Sequence, residues 1–399
     1  MESLKNKAVT PEKLMFLSLC GLFFFIPVAT SPAVIMGSLM IAVWVFSGRF
    51  IHITDWLRQK WALPVIAIIS LAWLGLLYAD DFETGLGFAK KTHYWLYAFA
   101  VSGIAFSVYR AEILMKAYAA GVSFTSLLFI LQNMGIVPMR PPYSVGLLNR
   151  WAHISFSLLL VFGVLMMSFF FRSARGKGHK AVWLALMAVN TVALSLLLSD
   201  SGHLAFIVLS PLITYNLVGK KYLKILLLSL LMVGALFLSP VTRGRLDDAI
   251  SGTISYGKGR EITPVGGRYY MWSGALKIYF DNPLFGIGTG GYLSAMKDYR
   301  ERGLLHDKDV AEDPIHPHNS FLYMAVSYGI PGVAALLWLF AVLLRRGWRN
   351  RDSIMGFSVL TFSLVLVIGS ITDTQIMQVH TATLLSAFTG LSGAEDAKN

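Results

Sequence analysis

"HPHNSFLYMAVSYGIPGVAALLWLFAVLLRR", residues 316–346, joins a polar cap to a long apolar run and closes it with paired arginines. The run from Asn319 to Leu344 is about 26 residues, or roughly 39 Å of helix. That exceeds a hydrocarbon core of about 30 Å, so the stretch reads as a membrane-spanning helix. Pro317 fixes its own φ and disfavours helix at His316. Asn319 or Ser320 is then a good N-cap, and "YGIPG" at 328–332 predicts a kink. A helix start of this kind places His318 at a positive dipole end, which favours a neutral imidazole able to act as a base and also attracts anions. Interfacial capping is an equally simple role for His316 and His318.

The rest of the chain agrees with a membrane setting. Of 399 residues, 55% are hydrophobic and only 14% charged, against about 25% charged in soluble domains. The apolar runs are continuous rather than alternating, which excludes a β-barrel and predicts an all-α integral membrane protein. Apolar stretches at about 14–30, 32–47, 62–78, 94–109, 112–134, 154–171, 181–198, 203–218, 222–239, 319–344, 353–371 and 375–391 predict about 12 transmembrane helices. The basic start and apolar core of the N-terminus are expected to form an uncleaved first helix rather than a signal peptide. Cys20 is the single cysteine, so no intramolecular disulfide forms. The net charge of +12 lies between apolar segments and implies orientation in a membrane, not nucleic-acid binding. An anionic lipid-linked ligand is a second use for it.

With that span count, Arg49, Arg58, Lys60, Arg110, "RSARGKGHK" from Arg172, "GKKYLK" from Gly219 and "RRGWRNR" from Arg345 fall on one side. The positive-inside rule makes that side, with both termini, cytoplasmic. Three units follow: helices 1–9 in residues 1–239, a large helical periplasmic loop in 240–318, and helices 10–12 with the cytoplasmic C-terminus in 319–399. The loop reads as two helices, about 266–280 and 291–303, because Tyr269, Trp272, Leu276 and Tyr279 share one helical face. Most of its cations, Arg243 and Arg245 among them, read as a solvated surface. Arg268 differs, since it begins the aromatic face beside Trp272.

Other segments offer weaker chemistry. "GIGTGG" at 286–291 lacks a βαβ setting and reads as a turn where backbone approaches closely. His306, Asp307, Asp309 and His316 have metal-site composition but read as an ordinary charged loop. Arg140 and Arg150, with Lys90 and Lys91 assisting, suit either a pyrophosphate group or lipid phosphates.

"GGRYYMWSGALKIYFDNPLFGIGTGGY" at 266–292, followed by "HPHNSFLYMAVSYGIPG" at 316–332, resembles the signature of bacterial O-antigen ligases (WaaL) and their relatives the O-antigen polymerases (Wzy). The resemblance implies a GT-C-like glycosyltransferase in the bacterial inner membrane, with its active site facing the periplasm. It implies inverting, metal-independent transfer without a cofactor, from a glycan on undecaprenyl pyrophosphate to a sugar hydroxyl of the lipid A-core. It places the essential histidine at His318 and the loop arginine at Arg268. Tyr269 and Trp272 could line the sugar path, and Asn319 belongs to the same motif. Relatives often carry a Ser-Arg pair where this chain reads "SDSGHL", with Gly202 and His203. That phosphate contact then falls to His203, Arg150 or Arg140, or is absent. A polymerase or a protein O-oligosaccharyltransferase of the same family is the nearest alternative. A twelve-span transporter is remote, because one large loop breaks the symmetry of halves and the spans hold few charges.

Overall fold

The computed structural model describes residues 10–51, 53–138, 153–257, 264–305 and 315–393. Among them it is all-helical. The helices are α1 (Pro11–Phe25), α2 (Thr30–Phe46), α3 (Ile53–Leu57), α4 (Ala62–Leu74), α5 (Phe82–Lys90), α6 (Leu96–Ser102), α7 (Val108–Asn133), α8 (His153–Ser173) and α9 (Lys177–Ser195). They continue as α10 (Asp200–Val218), α11 (Tyr222–Leu236), α12 (Pro240–Gly257), α13 (Pro264–Asp281), α14 (Tyr292–Glu301), α15 (Ser320–Arg349), α16 (Ile354–Thr372) and α17 (Val379–Gly393).

Five of these, α7, α8, α10, α15 and α16, are long and apolar enough to cross a membrane, and α11 with α12 forms a sixth candidate bent by 90°. The described residues thus give five to six candidate crossings by helix length and composition, where the apolar stretches of the sequence predict about 12. The shorter apolar helices Thr30–Phe46 and Ala62–Tyr78 fall below that length. The stretch 94–109 is broken: α6 covers seven residues and Gly103 ends it. Segment 240–305 holds three helices rather than two, because Pro240, well suited to a first helical turn, starts α12.

Helix α8 sits at the centre, with 89% of its apolar window buried. A helix apolar on every side belongs there. Its Phe162 meets Tyr118 at 4.9 Å and Phe362 and Phe388 at 5.3 Å each. Polar side chains join neighbouring helices: Asn190 of α9 accepts from Ser126 and donates to Ser123 of α7 at 2.8 and 3.0 Å. In an apolar surround each such bond satisfies groups that lipid could not. The outward face of α11 is apolar instead, with Leu223, Leu227, Leu230 and Leu231 more than half exposed.

The two ends of the bundle differ. At one, Glu12 pairs with Arg110 and Arg49, Lys116 lies over Phe170, Arg172 faces Asp352, and Arg346 donates to the Ser392 carbonyl. At the other, the N-termini of α8 and α10 meet through Ser157 and Ser199 at 2.7 Å. There too, Ser201 of α10 bonds Thr372 of α16 at 2.6 Å.

The kink in α15 is real and explains the glycine loop. Gly329 has φ 62° and ψ −149° inside the helix. Pro331 has no N–H for the Ser327 carbonyl. Gly288 supplies that donor at 3.1 Å, and Ile287 donates to Val326 at 2.9 Å. The displaced Ile330 N–H turns to the Pro283 carbonyl at 2.9 Å. A Cβ on Gly286 would lie 2.3 Å from the Val326 oxygen. "GIGTGG" is therefore a close-approach turn that satisfies a broken helix, as its glycines suggested.

Candidate active site

Asn319 caps α15, its side chain accepting from the Phe321 and Leu322 amides at 2.9 and 3.0 Å. Its amide group also donates to the Ile371 carbonyl at 2.9 Å, tying the start of α15 to the end of α16. The residue before the cap, His318, adopts φ +47°, the one positive φ among described non-glycine residues. Holding a side chain there costs roughly 1–3 kcal/mol, so its surroundings must enforce it.

Asp373, one residue past α16, does so. Its Oδ1 accepts from His318 Nδ1 at 2.8 Å, while Gln375 donates to Oδ2 at 3.1 Å. The Asp373 side chain is 2% exposed and that of His318 36%. Burial pushes the Asp373 carboxyl up, but the His318 bond and charge outweigh it and hold it below its usual value. An ionised carboxylate only accepts, so Nδ1 is the donor, and in the neutral ring Nε2 keeps the lone pair. Among the described residues Nε2 has no partner. The ring of His318 is thus held in one orientation.

His316 is different. Its ring packs 4.4 Å from His318 and its Nδ1 lies 3.3 Å from the Thr374 hydroxyl. Burial, then the neighbouring His318, pushes its pKa down to about 4, so it is neutral at physiological pH. Lys91 stands near enough to act on His316 electrostatically. Its own ammonium is pushed down by burial and lies over Phe88 at 5.0 Å.

A second carboxylate organises the adjoining half. Asp200, in the first turn of α10, receives Arg245 of α12 in a fork at 3.0 and 2.7 Å and Arg268 of α13 at 2.6 Å. The side chains of both arginines are under one-fifth exposed. The two guanidiniums share this carboxylate, and Arg245 also faces Asp248 at 3.9 Å. Ser201 and Thr372, the neighbours of Asp200 and Asp373, are hydrogen-bonded to each other, so the two clusters form one site. Trp272 joins them again: it lies one turn after Arg268 on α13 and donates to the Pro317 carbonyl at 3.1 Å.

The structure therefore brings together His318, Asn319, Arg268, Trp272 and, electrostatically, Lys91. Tyr269 instead packs α13 on α12, 5.5 Å from Tyr256 and 6.0 Å edge-on to Trp272. His203 is buried with Nε2 3.0 Å from the Leu194 carbonyl, between α9 and α10. Arg140, Arg150 and the 306–309 cluster lie outside the described residues. Gly202 is fixed by packing: a Cβ there would stand 2.3 Å from Ser157 Cβ, so no arginine fits at that position. Asp373, Asp200 and Arg245 are the site residues not singled out from sequence.

His316, His318 and Asp373 also place three metal-competent atoms within 4.8 Å of one another. The His318 and Asp373 atoms are already committed to each other, and a metal would have to replace that proton.

The site thus sets a histidine–carboxylate pair beside two arginines that share a carboxylate. Residues 181–337, under half of the chain, match the family model described as O-antigen ligase. That stretch is similar to the O-antigen ligase family. The matched stretch includes Asp200, Arg245, Arg268 and His318 and ends before Asp373. A comparison with curated proteins gives no match.

Proposed function

We propose that the protein is an O-antigen ligase acting at the periplasmic face of the bacterial inner membrane. It transfers a glycan from undecaprenyl pyrophosphate to a sugar hydroxyl of the lipid A-core, with inversion and without a metal. The observation that carries this is the junction of two carboxylate clusters through Ser201 and Thr372, one holding two arginines and the other a base.

The steps follow from the charges. The donor diphosphate settles against Arg268 and Arg245, whose planar forks pair with phosphate oxygens. The acceptor hydroxyl docks at His318 Nε2. Its oxygen bonds to the anomeric carbon from the face opposite the diphosphate, and the carbon–oxygen bond to the diphosphate breaks. The electron pair leaves on the diphosphate oxygen, where the arginines offset the growing charge. The hydroxyl proton passes to Nε2, and Asp373 stabilises the resulting imidazolium. Lys91 adds positive charge beside His316. Trp272 fixes the Pro317 backbone and hence the ring behind it.

Reconstitution tests this. Protein in liposomes is given lipid-linked glycan with lipid A-core, or lipid-linked glycan alone. Glycan appearing on lipid A-core is the expected result. Lengthened lipid-linked glycan without modified core would make the protein a polymerase.

A further inference from the structure

At the end of the bundle opposite His318, a groove of about 830 Å³ opens between the 57–63 segment and the last turns of α15. Among the described residues, Arg58, Lys60, Arg345, Arg346 and Arg349 line it, with Asp352 the one carboxylate. That carboxylate faces Arg172 at 3.9 Å, and Arg346 is engaged with the Ser392 carbonyl. Among the described residues, Arg58, Lys60, Arg345 and Arg349 have no acidic partner. Four cations from two separate segments thus converge on one concavity. The wall continues into Leu63, Val342 and Trp338, of which Leu63 and Trp338 are about half exposed.

We propose that this groove binds the phosphate-bearing headgroup of an anionic glycerophospholipid. A positive surface alone would serve orientation and needs no concavity. Here the cations surround a volume within the usual range of ligand sites, about 300–1,000 Å³. An apolar wall leads away from them, as acyl chains require. Basic pockets between transmembrane helices bind such headgroups by charge-assisted bonds. A soluble phosphate shares the headgroup chemistry but makes no use of Trp338, Leu63 and Val342. The groove lies a helix length from His318, so it is independent of the transfer chemistry.

The test is thermal unfolding of the full chain in a neutral detergent, with transfer activity not involved. Cardiolipin or phosphatidylglycerol is expected to raise Tm by several degrees, and phosphatidylcholine to have no effect. Soluble glycerophosphoglycerol or inorganic phosphate at equal concentration is expected to be ineffective. Arg58→Gln with Lys60→Gln, Arg345→Gln and Arg349→Gln should abolish the rise. Where that protein fails to insert, Arg345→Gln with Arg349→Gln alone should at least halve it. A control with Arg175→Gln, Lys177→Gln, Lys220→Gln and Lys221→Gln removes equal charge from the same end and should keep the rise. Loss in the control, an unchanged rise in the groove variants, or equal stabilisation by soluble phosphate overturns the proposal.

Discussion

Asp200 and Asp373 stand side by side at one end of neighbouring helices, yet they hold opposite roles. Asp200 lies in the first turn of α10, where the helix dipole favours a negative charge, and its side chain is 22% exposed. It takes two arginines, Arg245 and Arg268. Asp373 follows the last turn of α16, where the dipole opposes it, and it is 2% exposed. A buried carboxylate there needs a partner, and His318 with the Gln375 amide supplies it. In the proposed mechanism the first arrangement meets the donor diphosphate, and the second orients one ring and leaves Nε2 for an acceptor.

The largest effect expected falls on the second cluster. His318→Ala should lower transfer by about 10²–10⁴, the usual worth of a general base, while the protein still inserts. Single-turnover assay with bound donor measures this, and a loss confined to KM would assign His318 to binding instead. Arg268→Lys keeps the charge but loses the fork, and should cost on the order of 10². Arg245→Lys should follow at about tenfold, near the worth of one charge-assisted bond. Full activity in Arg245→Lys would return it to a purely structural partner of Asp200.

Chelation should do less than any of these. Excess EDTA is expected to leave the rate nearly unchanged, because the arginines offset the diphosphate charge. Activity that vanishes and returns with magnesium or manganese would make His316, His318 and Asp373 a metal site.

The smallest effect concerns His316. Its pKa, pushed down to about 4, means the folded state binds fewer protons than the unfolded state below about pH 6.5. Stability therefore falls as pH drops from about 6.5 towards 4. His316→Gln should flatten that fall in Tm and leave the activity profile above pH 6 unaltered. A transfer loss equal to that of His318→Ala would show that the two rings act as a unit.

Much of this site was legible in sequence because its signals are local. The Pro-His-Asn-Ser run announced a capped helix, and Asn319 caps it. "YGIPG" announced a kink, and Gly329 carries it. Arg268 was visible from its place on an aromatic face. The carboxylates were not, since each meets partners 45 to 68 residues away or across 55 residues. No local spacing separates Arg245 from the other cations of its segment. Asp373 left one hint: a lone acid closing an apolar span at the end where His318 begins another. The breaks within one apolar stretch were less legible. Apolar composition marks 94–109 well, but Gly103 and the Ser107 cap of α7 break it into short pieces.

The division of labour between the carboxylates is tested most directly by donor affinity. The dissociation constant for undecaprenyl-pyrophosphate-linked glycan is measured for wild type, Arg268→Lys and His318→Ala in the same liposomes. Arg268→Lys is expected to weaken binding by about tenfold, the worth of a lost fork contact. His318→Ala should bind donor as wild type does while transferring almost none. Donor affinity lost equally in both variants, or kept in both, would contradict the separation of a donor cluster from an acceptor cluster.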